Sequence, residues 1–294
     1  MVCWNSSSEL KHYVFESLKK LGKKPSYRKG QNFLVDASII HFQIDKAQIS
    51  PSDIVLEIGS GLGNLTLCLA KLAKKVYAIE SDKTLAKFLE DTTESYSNIE
   101  IIVGDAVKID LPTFNKCVSN LPYQISSPIT FKLLEHSFDL AILMFQKEFA
   151  QRLFAEPGTK DYSRVTVMAN LKASCDYLKT VKPSSYFPQP KIHSSIVSIQ
   201  KKKETLIRNH DDFRLLITLL FSNKKKIVRS VFSNLLKRKA KLNMYPKIDI
   251  IDSLPYAERR IFTLSLEELV QLYNVTKTKI GEDMWSDIIS LNMR

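Results

Sequence analysis

Glu57-Ile58-Gly59-Ser60-Gly61-Leu62-Gly63 is the stretch on which the fold turns. It closes the apolar run Asp53 to Ile58 and precedes the periodic segment Leu65 to Leu72, so it reads as a strand, a glycine turn and a helix. Without Cβ atoms, Gly59 and Gly61 let the backbone turn sharply and come close to a ligand. A dinucleotide fingerprint spaces its glycines Gly-x-Gly-x-x-Gly and sets a helix N-terminus against a pyrophosphate. Here the spacing is Gly-x-Gly-x-Gly, which leans away from nicotinamide cofactors.

Outward from this loop, short apolar runs alternate with helical periods. Lys75 to Glu80, Ile99 to Val103, Lys116 to Ser119 and Leu140 to Phe145 have strand length, and Thr84 to Glu90 and Pro128 to His136 read as helices. Alternation joined by right-handed crossovers predicts an α/β fold, a doubly wound parallel sheet. Ala173 to Val181 and Ser194 to Gln200, linked by the Pro-rich turn Pro183 to Pro190, are expected to pair antiparallel at its edge. Beyond Lys201-Lys202-Lys203, the segments Phe213 to Phe221, Lys226 to Leu236 and Leu266 to Tyr273 are amphipathic, and Ser265 with Glu267 and Glu268 supplies a helix start. The expected organisation is a basic extension over residues 1–27, a catalytic domain over 28–200 and a small helical RNA-binding domain over 201–294. A helix from Ser8 to Leu21 and a flexible lead-in from Gly22 to Gly30 are expected within the first part.

Ligands of open α/β sheets bind outside the carboxyl ends of the strands. Gly59, Glu80, Asp105 and Asn120 stand at successive strand ends. Glu80 can accept hydrogen bonds from two ribose hydroxyls, and Asp105 can accept from an adenine amino group. S-Adenosylmethionine, which carries an adenosine and no pyrophosphate, suits such a set. Asn120-Leu121-Pro122-Tyr123 is then a reaction loop. An adenine N6 amine is a weak nucleophile because its lone pair is delocalised into the ring. The Asn120 side-chain oxygen and the Leu121 carbonyl can accept its two hydrogens and localise the lone pair, while Pro122 fixes the turn. Tyr123 can stack on the base, a contact worth roughly 1 to 3 kcal/mol. Tyr186 and Phe187 offer a second aromatic face for an unstacked base.

The 294 residues are 44% hydrophobic, enough to bury a sizeable core, with a net charge of +12. The excess is uneven: Lys201 to Lys247 holds 14 Lys plus Arg against three acids, and the first 30 residues hold seven against two. That distribution predicts a polyanion partner, with Lys224, Lys225, Lys226 and Arg229 on one helix surface contacting phosphates. No apolar run reaches membrane-spanning length and the N-terminus has no signal-peptide core, so a soluble cytoplasmic chain is expected. Histidine and cysteine spacing matches no metal motif, and Cys68, Cys117 and Cys175 are expected to be reduced core thiols. The absence of a coiled-coil or swapped-strand signal favours a monomer.

Together the motifs resemble the ribosomal RNA adenine N6-dimethyltransferases, most of all the archaeal and eukaryotic small-subunit branch. The resemblance runs from about Tyr27 to about Tyr273. It rests on Gly30-Gln31-Asn32-Phe33-Leu34, Glu57 to Gly63, Glu80-Ser81-Asp82, Gly104-Asp105-Ala106, Asn120 to Ile129, Tyr186 to Ile192 and Leu264 to Leu269. It implies a Rossmann-like class I methyltransferase sheet and adds Asn32 and Leu34 to Gly59, Gly61, Glu80, Asp105 and Asn120 as residues holding S-adenosylmethionine. It further implies dimethylation of two adjacent adenosines near the 3′ end of small-subunit rRNA, on a pre-30S-type particle whose maturation the protein assists. Tyr186 departs from the family, which commonly carries Phe there, and the residues before Tyr27 have no counterpart in the resemblance. Large-subunit rRNA methyltransferases share the pocket motifs, and a catalytically silent assembly or transcription factor on the same fold is the other alternative.

Overall fold

The computed structural model describes residues 3–26, 30–204, 206–240, 251, 253–281 and 285. Lys241 and Lys247 of the basic stretch, and Tyr27, Arg28 and Lys29 of the expected lead-in, lie outside the described residues. The chain divides into two compact units, Met1–Gln151 with Ala173–Lys202, and Arg152–Lys172 with Lys203–Arg294.

The first unit carries α1 (Ser7–Lys20), β1 (Phe33–Leu34), α2 (Ala37–Ala47), β2 (Ile54–Ile58), α3 (Thr66–Ala70), β3 (Lys75–Glu80), α4 (Lys83–Thr93) and β4 (Ile99–Val103). It continues through β5 (Lys116–Asn120), α5 (Ser126–Glu135), β6 (Leu140–Gln146) and most of α6 (Lys147–Leu153). After α7 (Arg164–Lys172), which belongs to the other unit, come β7 (Ala173–Val181), β8 (Tyr186–Phe187) and β9 (Ser194–Lys201). Seven strands form one sheet in the order β4-β3-β2-β5-β6-β9-β7. The strands from β4 to β6 run parallel, and β9 pairs antiparallel with both β6 and β7, as the Pro-rich connection predicts. The order reverses direction beside β2, which pairs with β3 on one side and β5 on the other, so the topological switch point lies at the end of β2.

Burial explains the strand sequences. In β2, Val55, Leu56 and Ile58 are shielded on both faces, as a central parallel strand requires, whereas β7 at the edge leaves Ser174, Asp176, Tyr177 and Thr180 exposed and carries a bulge between Tyr177 and Lys179. The helices start where short polar side chains reach back: Ser6 accepts from Glu9 N–H, Asp36 from Ser38 N–H and Asp82 from Thr84 N–H.

Three sequence expectations change. The helix expected from Ser8 to Leu21 is present as α1, with Leu10, Val14 and Leu18 in the sheet core, but the lead-in after it is tied down where it is described: Lys23 pairs with Asp82 at 2.6 Å. Cys68 is not a reduced thiol, because it is bonded to Cys3 across 65 residues of sequence. Cys117 and Cys175 are free, and burial pushes both thiols up to about 12. Finally, residues 152–172 belong with the C-terminal unit, so a single cut at 200 misses this insertion.

That second unit is helical. It packs α7, α8 (His210–Phe221), α9 (Val228–Ala240) and α10 (Leu266–Ile280) through residues such as Val167, Phe213, Phe232 and Leu272. Ser265 and Glu268 form the full capping box of α10, with Glu268 N–H on Ser265 Oγ at 3.2 Å and Ser265 N–H on Glu268 Oε2 at 2.9 Å. Tyr162 donates to the Leu264 carbonyl at 2.8 Å and ties the inserted segment to the start of α10.

Candidate active site

A cavity of about 370 Å³ opens at the switch point, within the roughly 300 to 1,000 Å³ usual for small-molecule sites. Asn32 just before β1 and Leu34 within it, Gly59 and Gly61 after β2, Glu80 at the end of β3, Asp105 after β4 and Asn120 at the end of β5 all line it. Seven residues expected to hold a cofactor are therefore brought to one place by four consecutive strand ends and one N-terminal turn.

The glycine loop fits because its backbone is left-handed where side chains are not tolerated. Gly59 has φ +78°, and a Cβ there would sit 2.9 Å from Pro122 Cδ, so this glycine lets the cofactor loop and the reaction loop touch. Glu80 ties the loop down from beneath: Oε2 accepts the Gly61 N–H at 2.9 Å and Oε1 accepts the Asp82 N–H at 2.8 Å. Each carboxylate oxygen has two lone pairs, so one acceptor position per oxygen is left for a pair of ribose hydroxyls. Asp105 holds the following turn by accepting from Val107 N–H at 3.0 Å and remains part-exposed at the cavity edge.

Four buried polar atoms around the cavity have no hydrogen-bond partner among the described residues: Asn32 Oδ1, Ser60 Oγ, Asn64 Oδ1 and Asn120 Oδ1. Buried acceptors are normally paired, and leaving one bare costs about 1 to 3 kcal/mol. The site is thus built to receive hydrogen-bond donors, which fits an adenosine-containing cofactor and, at Asn120, an amino group. Glu57 is a wall residue that motif reading passed over. Burial pushes its carboxyl up to about 8, against the Thr66 hydroxyl donating at 2.6 Å and with the nearby Glu80 charge reinforcing the rise. Its signal was present in the sequence as an acid on an otherwise apolar strand.

The reaction loop is anchored by Leu121 N–H on the Met144 carbonyl at 3.2 Å. Tyr123 lies outside the cavity lining, with its hydroxyl 2.7 Å from Ser194 Oγ. Tyr186 reaches the same serine at 2.8 Å and Met144 Sδ at 2.9 Å, so one buried hydroxyl on β9 holds both tyrosines. This network gives the Tyr186 hydroxyl a use that a phenylalanine lacks. Phe187 goes elsewhere: its ring packs on Phe15 of α1 at 4.4 Å, while its backbone pairs with Phe33. Tyr123 and Tyr186 are brought together; Phe187 is not brought to them.

In the second unit the basic cluster departs from expectation. Lys224, Lys225 and Lys226 lie in the turn between α8 and α9, and only Arg229 is on a helix, because α9 begins at Val228. Lys224 turns inward and donates to the carbonyls of Lys160 at 2.8 Å and Tyr162 at 2.7 Å, and burial lowers its pKa. Arg229 pairs with Glu258 at 2.6 Å. Lys225 and Lys226 remain exposed.

The model of the ribosomal RNA adenine dimethylase family matches residues 22–271. A probable ribosomal RNA small subunit methyltransferase A from Thermococcus onnurineus is 41% identical over 266 residues, covering 90% of this chain and 96% of its own. Its namesake from Methanococcus aeolicus is 44% identical, covering 83% and 94%. Among solved structures, a dimethyladenosine transferase from Plasmodium falciparum is 35% identical with a TM-score of 0.71 over 83% of this chain and 98% of that one. The 23S rRNA methyltransferase ErmE is 26% identical with a TM-score of 0.62, over 84% and 100%.

Proposed function

This chain belongs to the ribosomal RNA adenine dimethylase family, and we propose that it converts two adjacent adenosines near the 3′ end of small-subunit rRNA to N6,N6-dimethyladenosine and assists maturation of that subunit. The observation that carries the reading is the buried, unpartnered Asn120 Oδ1 at the junction of cavity and reaction loop.

When bound, S-adenosylmethionine supplies a methyl group on a positively charged sulfur, an electrophile that needs no metal. Glu80 holds the ribose hydroxyls, Asp105 takes the adenine amino group, and Asn32 and Leu34 close the remaining side. On the substrate side, Asn120 Oδ1 and the Leu121 carbonyl accept the two N6 hydrogens of the target adenine and localise its lone pair. The Tyr123 ring, fixed through Ser194, supports the base. The methylated amine is acidic enough to lose its proton to water, so no general base is assigned. Most of the acceleration comes from alignment, for which well-oriented reactions gain about 7 to 11 kcal/mol. The protein acts as a cytoplasmic monomer on a pre-30S-type particle. The small subunit is favoured as target because relatives at 41% and 44% identity carry it in their names, whereas ErmE, named for 23S rRNA, is 26% identical.

The deciding experiment incubates the protein with methyl-labelled S-adenosylmethionine and unmethylated small subunits, followed by nucleoside analysis. We expect labelled N6,N6-dimethyladenosine at two adjacent positions. Label confined to large-subunit RNA would move the target. Normal cofactor binding with no label in any RNA would leave a catalytically silent assembly factor.

A further inference from the structure

The N-terminal segment contributes to the cofactor site although the family model begins only at residue 22. Its contacts fall on two walls of the cavity. Near its start, the Trp4 indole N–H donates to the Asn64 carbonyl at 2.8 Å, and the Tyr13 hydroxyl donates to the Leu62 carbonyl at 2.7 Å. Leu62 and Asn64 are the second half of the glycine loop, and both line the cavity. Asn64 passes the constraint on, because its Nδ2 donates to the Leu34 carbonyl at 2.7 Å on the adjoining wall. Cys3 is bonded to Cys68 of α3, the helix that follows this loop.

Past the end of α1, Lys23 makes its ion pair with Asp82, whose side chain is 4% exposed. Gln31 Nε2 also reaches Asp82, at 3.2 Å. Asp82 in turn gives its N–H to Glu80, the residue assigned to the ribose. Between these ends, Leu10 and Val14 are completely buried, so the helix is a rigid spacer.

We propose that residues 3–26 are a strap built into the cofactor site, with Trp4, Tyr13 and Lys23 as positioning residues: the first two set the glycine loop and Lys23 sets the turn that presents Glu80. A hydrogen bond from a side chain to a loop carbonyl contributes when the loop must hold one conformation to bind; Trp4 and Tyr13 act in this way on backbone that lines the cavity, and Lys23 acts through the Asp82 carboxylate. This inference rests on the reading that the cavity takes S-adenosylmethionine.

The test is calorimetric binding of S-adenosylhomocysteine to the full chain, with thermal unfolding followed in parallel. Trp4→Phe combined with Tyr13→Phe keeps an aromatic ring at each position, a smaller one at Trp4, and removes both donors; roughly five- to tenfold weaker binding per lost bond is expected at temperatures where the protein is fully folded. Lys23→Met should weaken binding about fivefold, with Lys23→Arg restoring it. In methylation assays KM for the cofactor should rise while kcat at saturation holds. If the double variant fails to fold, Lys23→Met against Lys23→Arg decides the matter alone. Unchanged affinity in folded variants would overturn the strap. Failure of the unmodified protein to bind would instead overturn the assignment of the cavity.

Discussion

Asn120 answers to two neighbours at once, ending β5 in register with Met144 and presenting a buried oxygen that nothing in the described protein satisfies. Its replacement by Ala should therefore spare the fold and lower single-turnover methylation by roughly 10- to 100-fold, the worth of one hydrogen bond to a nitrogen gaining positive charge. S-Adenosylhomocysteine affinity should change far less than in Glu80→Ala. A variant with intact single-turnover rates and weakened RNA binding would contradict the role. Glu57 makes a pH-dependent prediction. Its carboxyl stays protonated in the folded protein up to about 8, from an ordinary value of 4.5, so the folded state gains nothing from ionisation across that window while the unfolded chain does. Stability contributed by the neutral carboxyl is thus fully present below about 4.5, falls as pH rises and levels off above about 8. Glu57→Gln lacks this decline, and urea midpoints measured from pH 4.5 to 8.5 should show the variant gaining on the unmodified protein by on the order of 3 to 5 kcal/mol. Parallel curves would mean that Glu57 titrates like an exposed acid.

At the level of elements, the sequence disclosed what local chemistry controls. The strand ends carrying Gly59, Glu80, Asp105 and Asn120 were readable because apolar runs, glycines and acids recur in order, and the helix start at Ser265 was readable from Glu267 and Glu268 in the turn that follows. Elements made by their surroundings were not. β1 and β8 are two residues each and exist only because Phe33 meets Phe187 and Leu34 meets Tyr186. Helix α7 buries Val165, Thr166, Val167, Met168, Ala169 and Leu171, which leaves no polar face to give a helical period. Lys132, on an ordinary helix, was equally silent: its ammonium donates to the carbonyls of Ala106 at 2.9 Å and Val107 at 3.2 Å, and to that of Ile109. It thereby joins α5, which follows the reaction loop, to the turn after Asp105. Lys132→Met should loosen that turn, seen as faster hydrogen exchange at the amides of Lys108 and Ile109, and should weaken S-adenosylhomocysteine binding several-fold. Exchange rates equal to those of the unmodified protein would show that the turn needs no such tie.

For the whole molecule, the charge of +12 predicts a polyanion partner but cannot say which cations meet it. The structure separates three lysines that the sequence places side by side. Lys224 is spent on the Lys160 and Tyr162 carbonyls, whereas Lys225 and Lys226 face solvent. Lys224→Ala should cost stability, about 0.5 to 1.5 kcal/mol for the loss of hydrogen bonds to one exposed and one part-buried carbonyl, with little effect on the salt dependence of binding. Lys225→Gln with Lys226→Gln should leave the melting temperature in place, weaken binding to unmethylated small subunits and flatten the plot of log affinity against log salt. Each lost phosphate contact reduces that slope by roughly 0.7 to 0.9. Because the release of counterions depends on charge and not on sequence, the loss should be the same for the natural rRNA and for an unrelated structured RNA. A slope unchanged in the double variant would show that these two lysines meet only water, and would transfer the electrostatic footprint to the cations of α1, Lys11, Lys19 and Lys20, where the same measurement would be repeated.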